Sequence, residues 1–159
     1  MTCPDLVIRA ATDRDLDDLV GLEKACFDIP WSRESLADEL TANPLARILV
    51  AEQSDGLLVG YLSGWVVLDE LQINNLAVDP ESRRQGVGRC LLRKMIAMAK
   101  SENLSSISLE VRTSNQAARS LYASFGFSPV GVRRAYYADT GEDAIILLKK
   151  FGDNPSPNE

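Results

Sequence analysis

The sequence predicts one mixed α/β (α+β) domain, in which a mostly antiparallel sheet with a single parallel strand pair is flanked by helices. Three observations predict it. Apolar runs at 47–53, 57–68 and 71–78 follow one another with only short turns between them, the pattern of an antiparallel meander. A helical apolar stripe over 86–102 leads into an alternating stretch at 106–112, so the strands at 71–78 and 106–112 are joined by a helical crossover and run parallel as neighbours. A chain of 159 residues, 45% hydrophobic and 25% charged, suits one domain with one core.

Each element has its own signal. Residues 6–11 read as a strand, and 13–27 as a helix capped by Thr12 or Asp13, with Leu16, Leu19, Val20 and Leu22 on its apolar side. A second helix starts at Trp31-Ser32, with Ser32 as N-cap, and stops near Asn43-Pro44. Ser35 stands where a capping box would carry Glu, so the box is incomplete. Ser54-Asp55-Gly56 turns the chain between the first two apolar runs, and Asp69-Glu70 turns it before the third. In the 86–102 helix, Val87, Leu91, Leu92, Met95, Ile96, Met98 and Ala99 form the sheet-facing side. Over 106–112, Ile107, Leu109 and Val111 take one face, and Ser106, Ser108, Glu110 and Arg112 the other. A last helix over 115–125 and a hairpin of 129–137 with 143–150 complete the domain, 1–151. The tail 152–159, with Asn154-Pro155-Ser156-Pro157, is expected to be disordered.

Composition narrows the function. A net charge of −6 argues against general affinity for nucleic acid. With no histidine, histidine-dependent triads and histidine metal sites are excluded, and no metal motif is present. Cys3, Cys26 and Cys90 are odd in number and widely spaced, which reads as reduced thiols in a cytoplasmic protein, with Cys90 packing on its helix. The start of the chain carries Asp5, Arg9, Asp13 and Arg14, unlike a signal peptide. The longest apolar stretch, 57–68, is shorter than the ~20 residues that a bilayer span needs. A monomer without membrane attachment is expected.

Residues 73–89 carry the chemistry. A strand ends at Asp79-Pro80, and a basic loop with Gly86 and Gly88 opens directly into a helix. Glycines admit an anion close to the backbone, and the helix start supplies unpaired N–H groups and a positive dipole end. Arg83, Arg84 and Arg89 add charge at that point. A pyrophosphate fits such a place.

Arg83-x-x-Gly86-x-Gly88 resembles the acetyl-CoA loop of the GCN5-related N-acetyltransferases, the GNAT superfamily. Further segments resemble its RimI-type branch, the ribosomal-protein-alanine N-acetyltransferases. They are Phe27-Asp28-Ile29-Pro30-Trp31-Ser32, Leu76-Ala77-Val78-Asp79-Pro80, Leu109-Glu110-Val111-Arg112 with Ser114-Asn115, Leu121-Tyr122 with Gly126-Phe127, and Arg133-Arg134-x-Tyr136-Tyr137 followed by Glu142-Asp143-Ala144. The likeness runs from about Leu6 to Lys150. It implies the GNAT fold, in which the parallel pair splays and the pantetheine arm lies in the opening. It also implies acetyl-CoA as co-substrate and the N-terminal α-amino group of a protein as acceptor, by the branch the N-terminal alanine of a small-subunit ribosomal protein.

The resemblance assigns roles beside which plainer ones stand. Glu110 would be the proton acceptor, and is otherwise a solvated strand glutamate. Tyr122 would contact the cofactor and protonate the departing thiolate, and is otherwise a core aromatic beside Ala118, Leu121 and Phe125. Asn115 would bond the cofactor, and is otherwise a helix N-cap. Leu76, Ala77 and Val78 would offer backbone groups to the acetyl and pantetheine portions, with Val78 N–H at the carbonyl oxygen. Arg84, Gln85, Gly86, Val87, Gly88 and Arg89 would cradle the phosphates. Trp31, Asp69, Glu70, Tyr136 and Tyr137 would border the acceptor, Asp69 and Glu70 serving otherwise as turn acids. Lysine side chains or small-molecule amines are alternative acceptors, and a non-catalytic acetyl-CoA-binding module is an alternative class.

Overall fold

The computed structural model describes Cys3 and residues 5–152. The expected tail at 153–159 lies outside the described residues. In chain order the elements are β1 (Leu6–Ala10), α1 (Leu16–Cys26), α2 (Arg33–Thr41), β2 (Ala46–Gln53), β3 (Leu58–Val67), β4 (Glu70–Val78), α3 (Val87–Ser101), β5 (Ser106–Arg112), α4 (Gln116–Ser124), β6 (Ser128–Arg133) and β7 (Ala144–Lys150). One sheet takes the order β1-β2-β3-β4-β5-β7-β6. The β1–β2, β2–β3, β3–β4, β5–β7 and β6–β7 pairs are antiparallel, and β4 runs parallel to β5. The mixed sheet with a single parallel pair is therefore borne out.

The parallel pairing is short. Glu70 to Ile73 lie opposite Ser106 to Leu109, and the register stops there. Beyond Ile73, β4 keeps only β3, and beyond Leu109, β5 keeps only β7. The two strands part, and the cleft lies in the gap.

A bulge prepares the free half of β4. Ser63 faces Asn75 but Gly64 faces Ile73, so Asn74 is the extra residue. The insertion reverses which face each side chain takes. Leu71 and Ile73 pack in the α3-side core before it, and Leu76 and Val78 after it, while Ala77 packs with Tyr61 on the α1 side. Asp79 N–H donates to the Val59 carbonyl at 2.8 Å. Strand alternation then turns the N–H groups of Val78 and Leu76 away from β3, toward the gap.

Two apolar layers cover the sheet. On one face α3 lays down Val87, Leu91, Leu92, Met95, Ile96 and Ala99, with Tyr122 and Phe127 from the α4 region. On the other, Leu19, Leu22 and Leu36 of α1 and α2 meet Val50, Leu58 and Tyr61. A Cβ on Gly60 would stand 3.0 Å from the Ala77 carbonyl and from Val87 Cγ1, so the bare backbone lets α3 close on the strands. Leu91 is fully buried at the middle of this contact. Leu91→Ala is expected to cost about 2–5 kcal/mol of unfolding free energy, read by chemical denaturation.

Four expectations are corrected. The first helix begins as a 3-10 turn at Asp13–Asp15, where Asp15 accepts Thr12 N–H at 2.8 Å. The β3–β4 turn is Leu68-Asp69 rather than Asp69-Glu70, with Leu68 at φ 56° and Val67 paired to Glu70. β6 ends at Arg133 rather than 137, because Ala135 turns at φ 51° and its N–H is captured by Asp143 Oδ1 at 2.8 Å. Cys3 and Cys90 are not free thiols. Cys3 lies beside the first turn of α3, with its Cα 6.0 Å from that of Cys90, and a disulfide joins them. Cys26 is the one free cysteine among the described residues.

No helix among the described residues is long and apolar enough to cross a membrane.

Candidate active site

The loop after β4 builds an anion site from its backbone. Asp79 Oδ1 accepts Glu81 N–H at 2.9 Å and starts a 3-10 turn at Pro80–Ser82. Arg84 then adopts φ 66° and Gly86 φ 83°, the N-cap of α3. Left-handed residues alternating with ordinary ones form a concave nest of N–H groups. The first helical bond runs from Cys90 N–H to the Gly86 carbonyl at 3.0 Å, so the N–H groups of Val87, Gly88 and Arg89 have no acceptor within the helix. Donor set and dipole suit a pyrophosphate, which is what acetyl-CoA would present here.

This nest opens on a cavity of about 790 Å³. Its walls bring together Leu76, Ala77, Val78, Arg84, Gly86, Val87, Gly88, Arg89 and Asn115, all expected from the sequence. Gln85 is not on the wall; its amide donates to the Glu81 carbonyl at 3.4 Å and closes the loop. Asn115 is both cap and wall: its Oδ1 accepts Ala118 N–H at 3.1 Å, which leaves the Nδ2 amide for a ligand. Cys26, Phe27, Ala117, Ala118, Ser120 and Leu121 also line it and were not expected. The small residues at 117, 118 and 120 on one turn of a helix were the available signal.

A second cavity, of about 600 Å³, takes in the start of the same gap. Trp31, Glu70, Glu110, Tyr136 and Tyr137 line it as expected. Asp69 does not; its carboxylate accepts the Ser105 hydroxyl at 2.7 Å. Trp65, Gln72 and Asn74 are unexpected members. Trp65 is held by its indole N–H, which donates to Glu39 at 2.8 Å. The free half of β4 thus leads from one cavity, at Ile73 and Asn74, to the other, at Leu76 to Val78.

The loop between β6 and β7 is fastened by its acids. Glu142 Oε2 accepts the Thr113 hydroxyl at 2.9 Å and Ser114 N–H at 2.6 Å, which holds its carboxyl below the ordinary range. Arg112 pairs with Asp139 at 2.9 Å and lies 3.9 Å over the Tyr137 ring. Tyr136 and Tyr137 meet edge to face at 5.0 Å. Glu142 and Asp143 therefore position the aromatic wall rather than face the cavity.

Glu110 reaches the cavity but is engaged. Arg133 Nε donates to its Oε1 at 2.6 Å, with the arginine 55% exposed and the glutamate 27%. Arg133, at the end of β6, is thus the partner of the candidate base. Tyr122 is buried and packs edge to face on Phe127 at 5.5 Å. It lines neither cavity, although Tyr137, whose charge would act on it, lines the second. Burial pushes its phenol well above the ordinary value, so the hydroxyl keeps its proton.

Proteins of known sequence and structure resemble this chain. A model described as the acetyltransferase (GNAT) family matches residues 16–127. A putative ribosomal protein bS18-alanine N-acetyltransferase of Bacillus subtilis is 44% identical over 133 residues, covering 84% of this chain and 87% of that protein. The N-alpha-acetyltransferase RimI of Mycobacterium tuberculosis is 37% identical over 154 residues, 93% of this chain and 94% of that one. The crystal structure of the ribosomal-protein-S18-alanine N-acetyltransferase from Escherichia coli superposes with a TM-score of 0.84 at 33% identity, covering 95% of this chain and 99% of that one.

Proposed function

Because the chain belongs to the acetyltransferase (GNAT) family, we propose that it transfers the acetyl group of acetyl-CoA to the N-terminal α-amine of a protein. The acceptor is the N-terminal alanine of ribosomal protein bS18, the substrate named for its 44% identical relative. One observation carries the reading: a phosphate nest and an aromatic, acid-bearing cavity are joined by the free half of one strand.

The residues divide the work. The nest and Arg84 and Arg89 hold the pyrophosphate, and Asn115 Nδ2 and the β4 backbone hold the arm. The Leu76 and Val78 N–H groups point where a thioester carbonyl oxygen gathers charge as nitrogen attacks its carbon. Glu110 receives the amine proton, directly or through one water. An α-amine titrates near ~7.7–8.0, so a carboxylate suffices when well placed. As the C–S bond breaks, Tyr122 supplies the proton that the thiolate takes.

The test is acetylation of a small library of N-terminal peptides, with mass spectrometry separating α-amino from ε-amino products. Alanine-first peptides acetylated on the α-nitrogen are expected. Exclusive lysine modification would overturn the acceptor assignment.

Arg133 competes with the incoming ammonium for Glu110. Arg133→Ala is expected to lower the KM for the acceptor peptide about threefold, in keeping with the ~1 kcal/mol or less of an exposed ion pair, and the gain should fade in high salt. Steady-state assays at two salt concentrations check this.

A further inference from the structure

We propose that Glu23 is a positioning residue for the transfer: from the last turn of α1 it fixes, through Asn75, the half-strand on which the acetyl carbonyl is seated. This rests on the acetyl-transfer reading above.

The free half of β4 has a strand neighbour on one side only. Its second restraint comes from α1. Asn75 Nδ2 donates to Glu23 Oε1 at 3.1 Å and to the Tyr61 hydroxyl oxygen at 2.8 Å. Cys26, on the same face of the helix three residues later, donates from Sγ to the Val78 carbonyl at 3.3 Å. The helix therefore grips β4 on both sides of Leu76, next to the two N–H groups that face the gap. The upper grip falls on the residue just after the bulge, where the strand changes face.

Burial argues that this contact has a purpose beyond stability. Glu23 is 1% exposed, and its Oε2 has no donor in hydrogen-bonding geometry, although the Tyr61 hydroxyl and Trp31 N–H lie near the carboxyl. A leucine would fill that place without the desolvation cost of a carboxyl. The other titratable groups facing it are Tyr61 from β3 and Cys26 from its own helix. Burial pushes all three upward, against the Tyr61 hydroxyl and Trp31 N–H, which favour the charged carboxylate. An acceptor oxygen at this distance is all that Asn75 needs, and an amide supplies one.

Glu23→Gln, Glu23→Leu and Asn75→Leu separate the possibilities in the full chain. Glu23→Gln is expected to keep kcat within about threefold. Glu23→Leu and Asn75→Leu are each expected to lose about 10- to 100-fold in kcat, the scale of a small misplacement at a reacting centre. Acetyl-CoA affinity by calorimetry and the melting temperature should stay near wild type. The double variant Glu23→Leu/Asn75→Leu should be no worse than either single one, since both remove one contact. Wild-type kcat in both leucine variants overturns the inference. So does Glu23→Gln falling as low as Glu23→Leu, which would make the carboxyl a proton acceptor. A wild-type chain that binds acetyl-CoA yet acetylates no amine removes the transfer reading itself and this inference with it.

Discussion

Glu110→Gln is expected to lower kcat by about 10²- to 10⁴-fold, the range for loss of a general base. The amide keeps the length of the side chain and can still accept from Arg133, so the cavity wall should keep its shape. What it loses is the ability to take a proton. Acetyl-CoA affinity should not change, because Glu110 lines the second cavity and not the one that holds the nest. The defect should also depend on pH in one direction. As pH rises past the ~7.7–8.0 of an α-amine, more acceptor is already neutral and the base has less to do. The ratio of wild-type to variant rate should therefore shrink between pH 7 and 9. Steady-state kinetics on an alanine-first peptide across that range is the check, and full activity at pH 7 would remove Glu110 from its role.

Tyr122→Phe is expected to reduce kcat by about 10²-fold or more through loss of a general acid, while the protein stays folded. The ring and its edge-to-face contact with Phe127 survive the substitution. Because burial disfavours the phenolate, the hydroxyl stays protonated well above neutral pH. The wild-type profile should accordingly show no loss of rate from this group up to about pH 10, the ordinary phenol value. An acyl donor with a more acidic thiol needs less help in leaving, so the variant should recover part of its rate with one. A defect indifferent to the leaving group would mean that Tyr122 serves packing alone.

Much of this arrangement was legible because its signals are local. The alternation at 106–112 coincides with β5 residue for residue, and the stripe from Val87 to Ala99 is the buried face of α3. The loop from Arg83 to Arg89 combines glycines, charge and a helix start within seven residues, and nearly all of it reaches the cavity wall. The β4 bulge was legible in principle. Leu71 and Ile73 are out of phase with Leu76 and Val78, and only an inserted residue reconciles them with one core. Other features depend on distant partners. Nothing beside Glu110 announces Arg133, 23 residues away, and nothing about Leu68 announces a left-handed turn. The place of β7 between β5 and β6 is likewise a matter of sheet order, which periodicity does not encode.

The link between Cys3 and Cys90 spans 87 positions, so β1, α1, α2 and the whole meander sit inside one covalent ring. Closing a ring of that size removes unfolded-state freedom worth about 4–5 kcal/mol in the chain-entropy account. The same polypeptide handled with and without dithiothreitol is thus two thermodynamic species. A denaturation midpoint for it has meaning only when the thiol condition is given alongside.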